Sequence, residues 1–454
     1  MSSKYSNQGM IYMKRAGFVS VGCVLAFLLV LLKSNSLAAQ EYSLEDFYRF
    51  ALERAERIKL SEEDLYIAEK AKDKALAGLL PTLSAFGNYT RYTENKISST
   101  GSVIQPNTST AWGVRLDQSF SLSGRELTAF KISNKNIERS EYDLYAVRES
   151  YLYSVASAYY DVLRSKKAVE IAKANIERLT KHRDAAAIRL KVGEVTKTAL
   201  LRAEAELSGA QSEEIKAKNS LALARAVLAR VVGINESYDV KETEDSSQHI
   251  VNIQGAETIE SFKQVALSER AELKSLGLQK KIEEEQVKYT RGSYWPTLSI
   301  EGVYSRNEDD PASTFLNRES IYGGLTLNFS FYEGGLRKAE VREAEAKLRQ
   351  TELIYEDLKK TINIDVESAY LDIVTQKGVL KSLEDQVMFA RDNYNAISRQ
   401  FEFGLANSVD VMDANTLLVT AERQLADARY NYQLSVLRLK RATGTLLKAV
   451  YSKQ

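Results

Sequence analysis

Asp410 and Asp413 are the side chains whose type and spacing could do chemistry. They stand three apart, just after a break at Gly404 to Ser408. At that spacing two carboxylates share one helical face. From the residues alone they complement the positive end of a helix dipole, behind a Ser408 cap. No other carboxylate pair stands out as a general acid and base. The chain has no Gly-rich phosphate loop and no Ser/His/Asp constellation. Its two histidines, His182 and His249, lie far apart, and Cys23 is the single cysteine. That excludes a thiolate cluster or disulfide framework and argues against a His-based metal site. A formal charge of +1 gives no bulk basic patch for nucleic acid. No enzyme, no cofactor and no metal are expected.

The helix that follows the two acids carries a regular seam. Val411, Ala414, Leu418, Ala421, Leu425, Ala428, Tyr432, Ser435, Leu439 and Ala442 alternate three and four residues apart. A period near 3.5 residues is that of a supercoiled helix. No Pro or Gly interrupts it until Gly444.

That helix has a counterpart upstream, because the chain is duplicated. Pro81-Thr82-Leu83-Ser84 recurs 215 residues on, as Pro296-Thr297-Leu298-Ser299. Ser157-Ala158-Tyr159 recurs 211 residues on, as Ser368-Ala369-Tyr370. At that second spacing Gly193 meets Gly404 and Gly233 meets Gly444. The difference of four places a longer loop between Ser84 and Leu116 of the first copy. Leu200, Ala203, Leu207, Ala210, Ala217, Leu221, Ala224, Leu228 and Val231 form the matching seam, which Glu214 alone breaks.

The organisation expected is as follows. Residues 1–38 form a secretory signal: Lys14 and Arg15, an apolar run from Ala16 to Leu32, then Ser36-Leu37-Ala38 as a small-x-small cleavage site. An uncleaved anchor, lipidation at Cys23 and a start at Met13 are the alternatives. Removal of four basic residues takes the charge from +1 to −3. Repeat 1 covers 39–234, a polar linker 235–258, repeat 2 259–444 and a short tail 445–454. In repeat 1, Ser43 to Leu79 reads as one helix, 83–122 as a β-hairpin, and 124–232 as long helices with a tip near Gly193. Repeat 2 has a hairpin over 298–331 and helices over 335–443, with a tip near Gly404 and a weak point at Gly378.

The strands alternate with period two. Trp112, Val114, Leu116, Phe120 and Leu122 face one way, and Arg115, Asp117, Ser119 and Ser121 the other. Leu298, Ile300 and Tyr304 oppose Ser299, Glu301 and Ser305; Ile321, Leu325 and Leu327 oppose Tyr322, Thr326 and Asn328. Strands of about ten residues can cross a bilayer. One apolar and one polar face is the pattern of lipid outside and water inside. Trp112, Trp295, Tyr89 and Tyr322 are the expected interfacial aromatics. A sheet packed on a soluble core is the alternative. Four strands cannot close a barrel, and barrels of this kind need about eight or more. The chain must then oligomerise. Arg115, Asp117 and Glu301 as lumen groups favour a trimer of twelve strands over a filled dimer of eight.

These features together resemble the TolC-type outer-membrane efflux protein family. The resemblance rests on the duplicated halves, a Pro before the first strand of each hairpin, and the run Gly404 through Val409-Asp410-Val411-Met412-Asp413-Ala414. Leu425-Ala426-Asp427-Ala428-Arg429-Tyr430-Asn431-Tyr432 resembles the family's last long helix. What this implies is a mainly α fold with membrane β. Long coiled-coil helices form an α-barrel, and each chain of a homotrimer adds four strands to a twelve-stranded outer-membrane β-barrel.

The implied function is the exit duct of a tripartite efflux or type I secretion system of a Gram-negative bacterium. The duct is a passive conduit, opened when an inner-membrane adaptor and an efflux or ABC-type pump dock. Gly193, Glu194, Val195, Gly404, Leu405 and Ala406 match the docking tips. Asp410 and Asp413 match a carboxylate ring at the periplasmic aperture, which would select cations. The family's best-known member latches that aperture with polar side chains. The matching positions here are Phe401, Ala406, Thr198 and Ala199, of which only Thr198 keeps a hydroxyl. Closure is therefore expected to rest on the packing of Phe401 and Val192 and on the acids. The competing class is a periplasmic or surface coiled-coil protein without a pore.

Overall fold

The computed structural model describes residues 40–234, 238–242, 258–313 and 316–451. The expected signal segment, with Cys23, lies outside them.

Repeat 1 opens on a short strand, β1 (Gln40–Tyr42), and two helices, α1 (Leu44–Arg54) and α2 (Glu56–Ala77). Ser43 caps α1 in a capping box with Asp46. The single helix expected over Ser43 to Leu79 is thus two, broken at Ala55 (φ −65°, ψ 125°) with no Pro or Gly. Next come β2 (Thr82–Arg91), the two-stranded loop β3 (Lys96–Ile97) and β4 (Val103–Gln105), and β5 (Thr108–Ser121). Then α3 (Arg125–Lys191) and α4 (Lys197–Val232) run as an antiparallel pair. α3 has 67 residues, about 100 Å of helix.

The segment expected to be an irregular linker holds a strand, β6 (Tyr238–Val240), which pairs in parallel with β1. Repeat 2 follows as α5 (Ile259–Glu269), α6 (Ala271–Arg291), β7 (Thr297–Asp310), β8 (Glu319–Asn328), α7 (Leu336–Glu402) and α8 (Ser408–Ala442). α7 also has 67 residues and stays helical through Gly378, the expected weak point. The expected tail is a helix, α9 (Leu446–Tyr451), whose Leu446, Leu447 and Val450 are buried.

The break at Ala55 recurs at Arg270 (φ −56°, ψ 118°), between α5 and α6. The reason is tertiary. The glycine that ends the second long helix of each repeat sits on this break. Gly444 (φ 70°) lies so close that a Cβ there would stand 3.0 Å from the Arg270 nitrogen and from the Glu269 carbonyl carbon. Gly233 (φ 73°) abuts Arg54 in the same way. Positive φ and close approach both require glycine.

The largest core lies at this waist. Phe47, Leu152, Tyr159, Leu228, Val240, Leu446 and Leu447 meet there. Away from it, α3–α4 and α7–α8 extend as two coiled coils joined face to face, α3 on α8.

The four long strands form one antiparallel sheet in the order β2-β5-β7-β8. Leu83, Trp112, Val114, Leu116, Ile300, Ile321, Leu325 and Leu327 share one face and are all exposed. No described element covers it, so this is not a sheet packed on a soluble core. The other face carries Arg115, Asp117, Ser119, Ser299 and Glu301, and the Ser119 and Ser299 hydroxyls meet at 2.8 Å. Tyr322 lies on this polar face and donates to Glu301 Oε1 at 2.9 Å. The register sets it opposite Val303, on the face that the alternation with Ile321 expects and away from the apolar face that carries Trp112. Trp112 packs edge-on to Tyr304 at 6.2 Å on the apolar face, which Tyr89 shares. Trp295 is exposed just before β7. Strands β2 and β8 are left as open edges. No described helix is long and apolar enough to cross a membrane.

Candidate functional site at the helical tips

The tips are built by one device used twice. Each long helix ends in a left-handed glycine, Gly193 (φ 80°) and Gly404 (φ 77°). The following N–H then reaches back to a free carbonyl: Glu194 to Arg189 at 2.9 Å and Leu405 to Gln400 at 2.8 Å. Gly193, Glu194, Gly404 and Leu405 are exposed, while Val195 and Ala406 are half-buried. Phe403 and Leu405 are 78% and 79% exposed, apolar side chains with no cover within the chain.

Beyond each turn the next helix must be restarted. Thr196 caps α4. Asn407 caps α8: its Oδ1 accepts from the Val409 and Asp410 N–H groups, and Asp410 Oδ2 accepts from the Asn407 N–H at 3.0 Å. The cap is therefore Asn407, one residue before the expected Ser408. The Ser408 side chain is buried and meets His182 Nε2 at 2.9 Å. Asp410 thus has a structural task at the cap. Asp413 is exposed and makes no hydrogen bond or ion pair among the described residues. Both acids lie on the open side of the α8 start.

Phe401 is 2% exposed and forms a cluster with Ala186 and Val411, with Ala185, Leu200, Tyr394, Ile397 and Ala406 around it. It joins α3, α4, α7 and α8 in one contact. Two other residues named for closure are not in it. Val192 is 67% exposed, and Thr198 is exposed and makes no hydrogen bond among the described residues. Both belong to the turn side of their helices, where the chain offers no partner.

The sequence reading missed a polar ladder from α3 to α8. Arg178 donates to Asn415 Oδ1 at 3.1 Å and to Glu422 Oε2 at 3.2 Å. Asn415 donates to Asn175 at 2.7 Å. His182 packs its ring 4.7 Å from that of Phe401. Burial lowers the His182 pKa from its usual range, which keeps the ring neutral at pH 7. Arg189 stands over the Phe401 ring at 4.8 Å and donates to the Phe401 carbonyl at 2.6 Å. A signal for this ladder existed. Asn175, Arg178, His182 and Arg189 fall three, four and seven residues apart, a polar stripe on one face of α3. Among the described residues the side chains of Phe401, Ala406, Thr198 and Ala199 make no hydrogen bond, and the polar ties near the tip are those of Asn175, Arg178, His182 and Arg189.

No described cluster of His, Cys, Asp and Glu could hold a metal ion. The arrangement can hold two helical hairpins together, present apolar side chains at their ends, and set carboxylates beside them.

A family model described as outer membrane efflux protein matches residues 48–234 and 263–445. The chain is 25% identical over 318 residues to outer membrane protein TolC of Vibrio cholerae, covering 69% of this chain and 72% of that one. It is 24% identical over 429 residues to TolC of Escherichia coli, covering 91% and 84%. It is 24% identical over 437 residues to the alkaline protease secretion protein AprF of Pseudomonas aeruginosa, covering 93% and 88%. Among solved structures it resembles CusC with a TM-score of 0.79 at 15% identity, over 89% of this chain and 93% of that one. VceC of Vibrio cholerae gives 0.75 at 17% identity, over 88% and 96%.

Proposed function

The chain belongs to the outer membrane efflux protein family, and from that premise we propose how it works as a trimeric duct. It lies in the outer membrane of a Gram-negative cell and is an exit duct for efflux or secretion. Its relatives are named as channels and export proteins, and none as an enzyme.

The observation that carries the finer reading is the sheet. Its apolar face is uncovered and its edges, β2 and β8, are unpaired. An open edge in lipid leaves backbone groups unsatisfied at several kcal/mol each. In a homotrimer, β2 of one copy pairs with β8 of the next, and twelve strands close. Arg115, Asp117, Glu301 and Tyr322 then line the lumen. Trp112, Tyr89 and Trp295 sit at the lipid boundary.

The helical tips lie in the periplasm. The Gly193 turn (Glu194, Val195) and the Gly404 turn (Leu405, Ala406) receive an inner-membrane adaptor, with an efflux or ABC-type pump behind it. Phe403 and Leu405 supply apolar contact there. Asp410 and Asp413 from three copies set six carboxylates at the aperture. Phe401 holds that aperture by packing. No nucleic acid and no cofactor takes part.

Purified full-length protein tests this in planar bilayers. The reading expects a detergent-stable trimer and single-channel currents selective for cations. A monomer that carries no current would leave a coiled-coil protein without a pore.

A further inference from the structure

We propose that Arg189 is the positioning residue of the gate: repeat 1 uses it to grip the C-terminal end of α7 and so fixes the pose of the α7–α8 tip. The inference rests on the duct reading for its consequence but not for its geometry.

Arg189 is in the last turn of α3, and its side chain is 15% exposed. Its Nη1 donates to the Phe401 carbonyl at 2.6 Å. Its plane lies over the Phe401 ring, 4.8 Å from the centroid. Its Nε donates to Glu194 Oε2 at 2.9 Å, which anchors the guanidinium to its own tip. A Cβ on Gly404 would stand 3.4 Å from Nη2, so the group also borders the second turn.

Each contact suits a guanidinium. The Phe401 carbonyl lies at the negative end of the α7 dipole, where a cation is favourable. A flat group can stack on a ring while it donates in its own plane; an ammonium cannot do both. The grip also runs one way. The position of repeat 2 that matches Arg189 is Gln400, which carries no charge. Repeat 1 is therefore the fixed jaw, and repeat 2 is the part held.

A charge-assisted hydrogen bond and its stacking are worth enough to shift a two-state balance on the order of tenfold. The test compares Arg189→Ala, Arg189→Lys and Glu194→Gln in the full-length protein. Trimer mass and helical content are checked first. Spin labels at Lys197→Cys and Val409→Cys then report the spacing of the two tips, whether or not the protein conducts. Arg189→Ala should broaden that distance distribution and raise the resting conductance about tenfold. Arg189→Lys should recover only part of the loss, and Glu194→Gln should have the smallest effect. Bridging His182→Cys to Ser408→Cys with dibromobimane in the Arg189→Ala background should return both readouts toward wild type. A conducting trimer whose Arg189→Ala variant keeps wild-type spacing and conductance overturns the inference. So does full rescue by Arg189→Lys, which would reduce the role to charge. If Arg189→Ala does not assemble, the Lys and Gln variants decide by the same measures. A wild-type protein without current overturns the duct reading instead and leaves the spacing measurement to judge the grip.

Discussion

Both repeats place the same aromatic pair at the waist, and they bury it differently. In repeat 1, Phe47 meets Tyr159 edge-on at 5.9 Å, and the two are 0% and 1% exposed. In repeat 2 the matching residues are Phe262 and Tyr370, 6.2 Å apart and only half-buried. The pair itself is not what differs. Among the described residues, β1, β6 and α9 seal the core of repeat 1 and not that of repeat 2. Tyr159 even donates its hydroxyl to the Lys241 carbonyl beside β6 at 2.5 Å. Duplication thus supplied two equivalent frames, and the segments between and after the copies made one of them the rigid side. The tips obey the same asymmetry, since Arg189 of repeat 1 holds Phe401 of repeat 2.

The largest effect should break this difference directly. Phe47→Ala removes a ring from a closed core and should cost about 3–5 kcal/mol. Phe262→Ala, at a half-open site, should cost roughly half of that. Thermal unfolding followed by circular dichroism compares them. Equal losses would mean that the repeat 2 pair is covered by another chain, and the asymmetry would then belong to the monomer alone.

The next effect is a pH dependence from a buried acid of repeat 1. Glu149 is 3% exposed, and its Oε1 accepts from the Leu446 N–H at 2.9 Å at the head of α9. Burial raises its pKa from 4.5 to about 7, against the lowering effect of the two backbone N–H groups. The folded state therefore holds a proton that the unfolded chain gives up. Its contribution is fully present below pH 4.5 and is lost as pH rises through about 7. The swing should be about 3 kcal/mol at most. Repeat 2 has Lys360 at the matching position, with no carboxyl there. Glu149→Gln keeps an acceptor for α9 and should flatten the pH slope of stability between those limits. An unchanged slope would remove Glu149 from the account.

Much of this was legible in the sequence, for local reasons. The two helices of 67 residues follow from long runs without Pro between fixed glycines, free of Gly in α3 and holding Gly378 alone in α7. The strands follow from period-two alternation, and their pairing from the duplication. What was not legible depends on distant partners. Ala55 breaks a helix that its neighbours would continue, because Gly233 docks there. α9 reads as a tail because six residues carry too little pattern, yet three of them reach the core. Arg189 looks like an ordinary helix-end cation until Phe401 is beside it. Asn407 and Ser408 are both good caps, and the one-residue choice between them depends on His182 claiming Ser408.

The smallest effects separate the two acids, where the repeats differ most in charge. Repeat 1 has Ala199 and Arg202 in place of Asp410 and Asp413. Asp410 completes the α8 capping box, so Asp410→Asn should cost about 1 kcal/mol and loosen the first turn of α8. Asp413 has no intrachain partner among the described residues, so Asp413→Asn should change stability by less than about 0.5 kcal/mol. A carboxylate ring acts on permeant ions by charge, so either substitution should weaken cation selectivity, measured as a reversal potential in a salt gradient. Stability then reads the cap, and selectivity reads the ring. If Asp413→Asn alters neither quantity, Asp413 faces no pore, and the same result for the selectivity of Asp410→Asn would leave Asp410 only its part in the Asn407 cap, the counterpart of the Thr196 cap in the first copy.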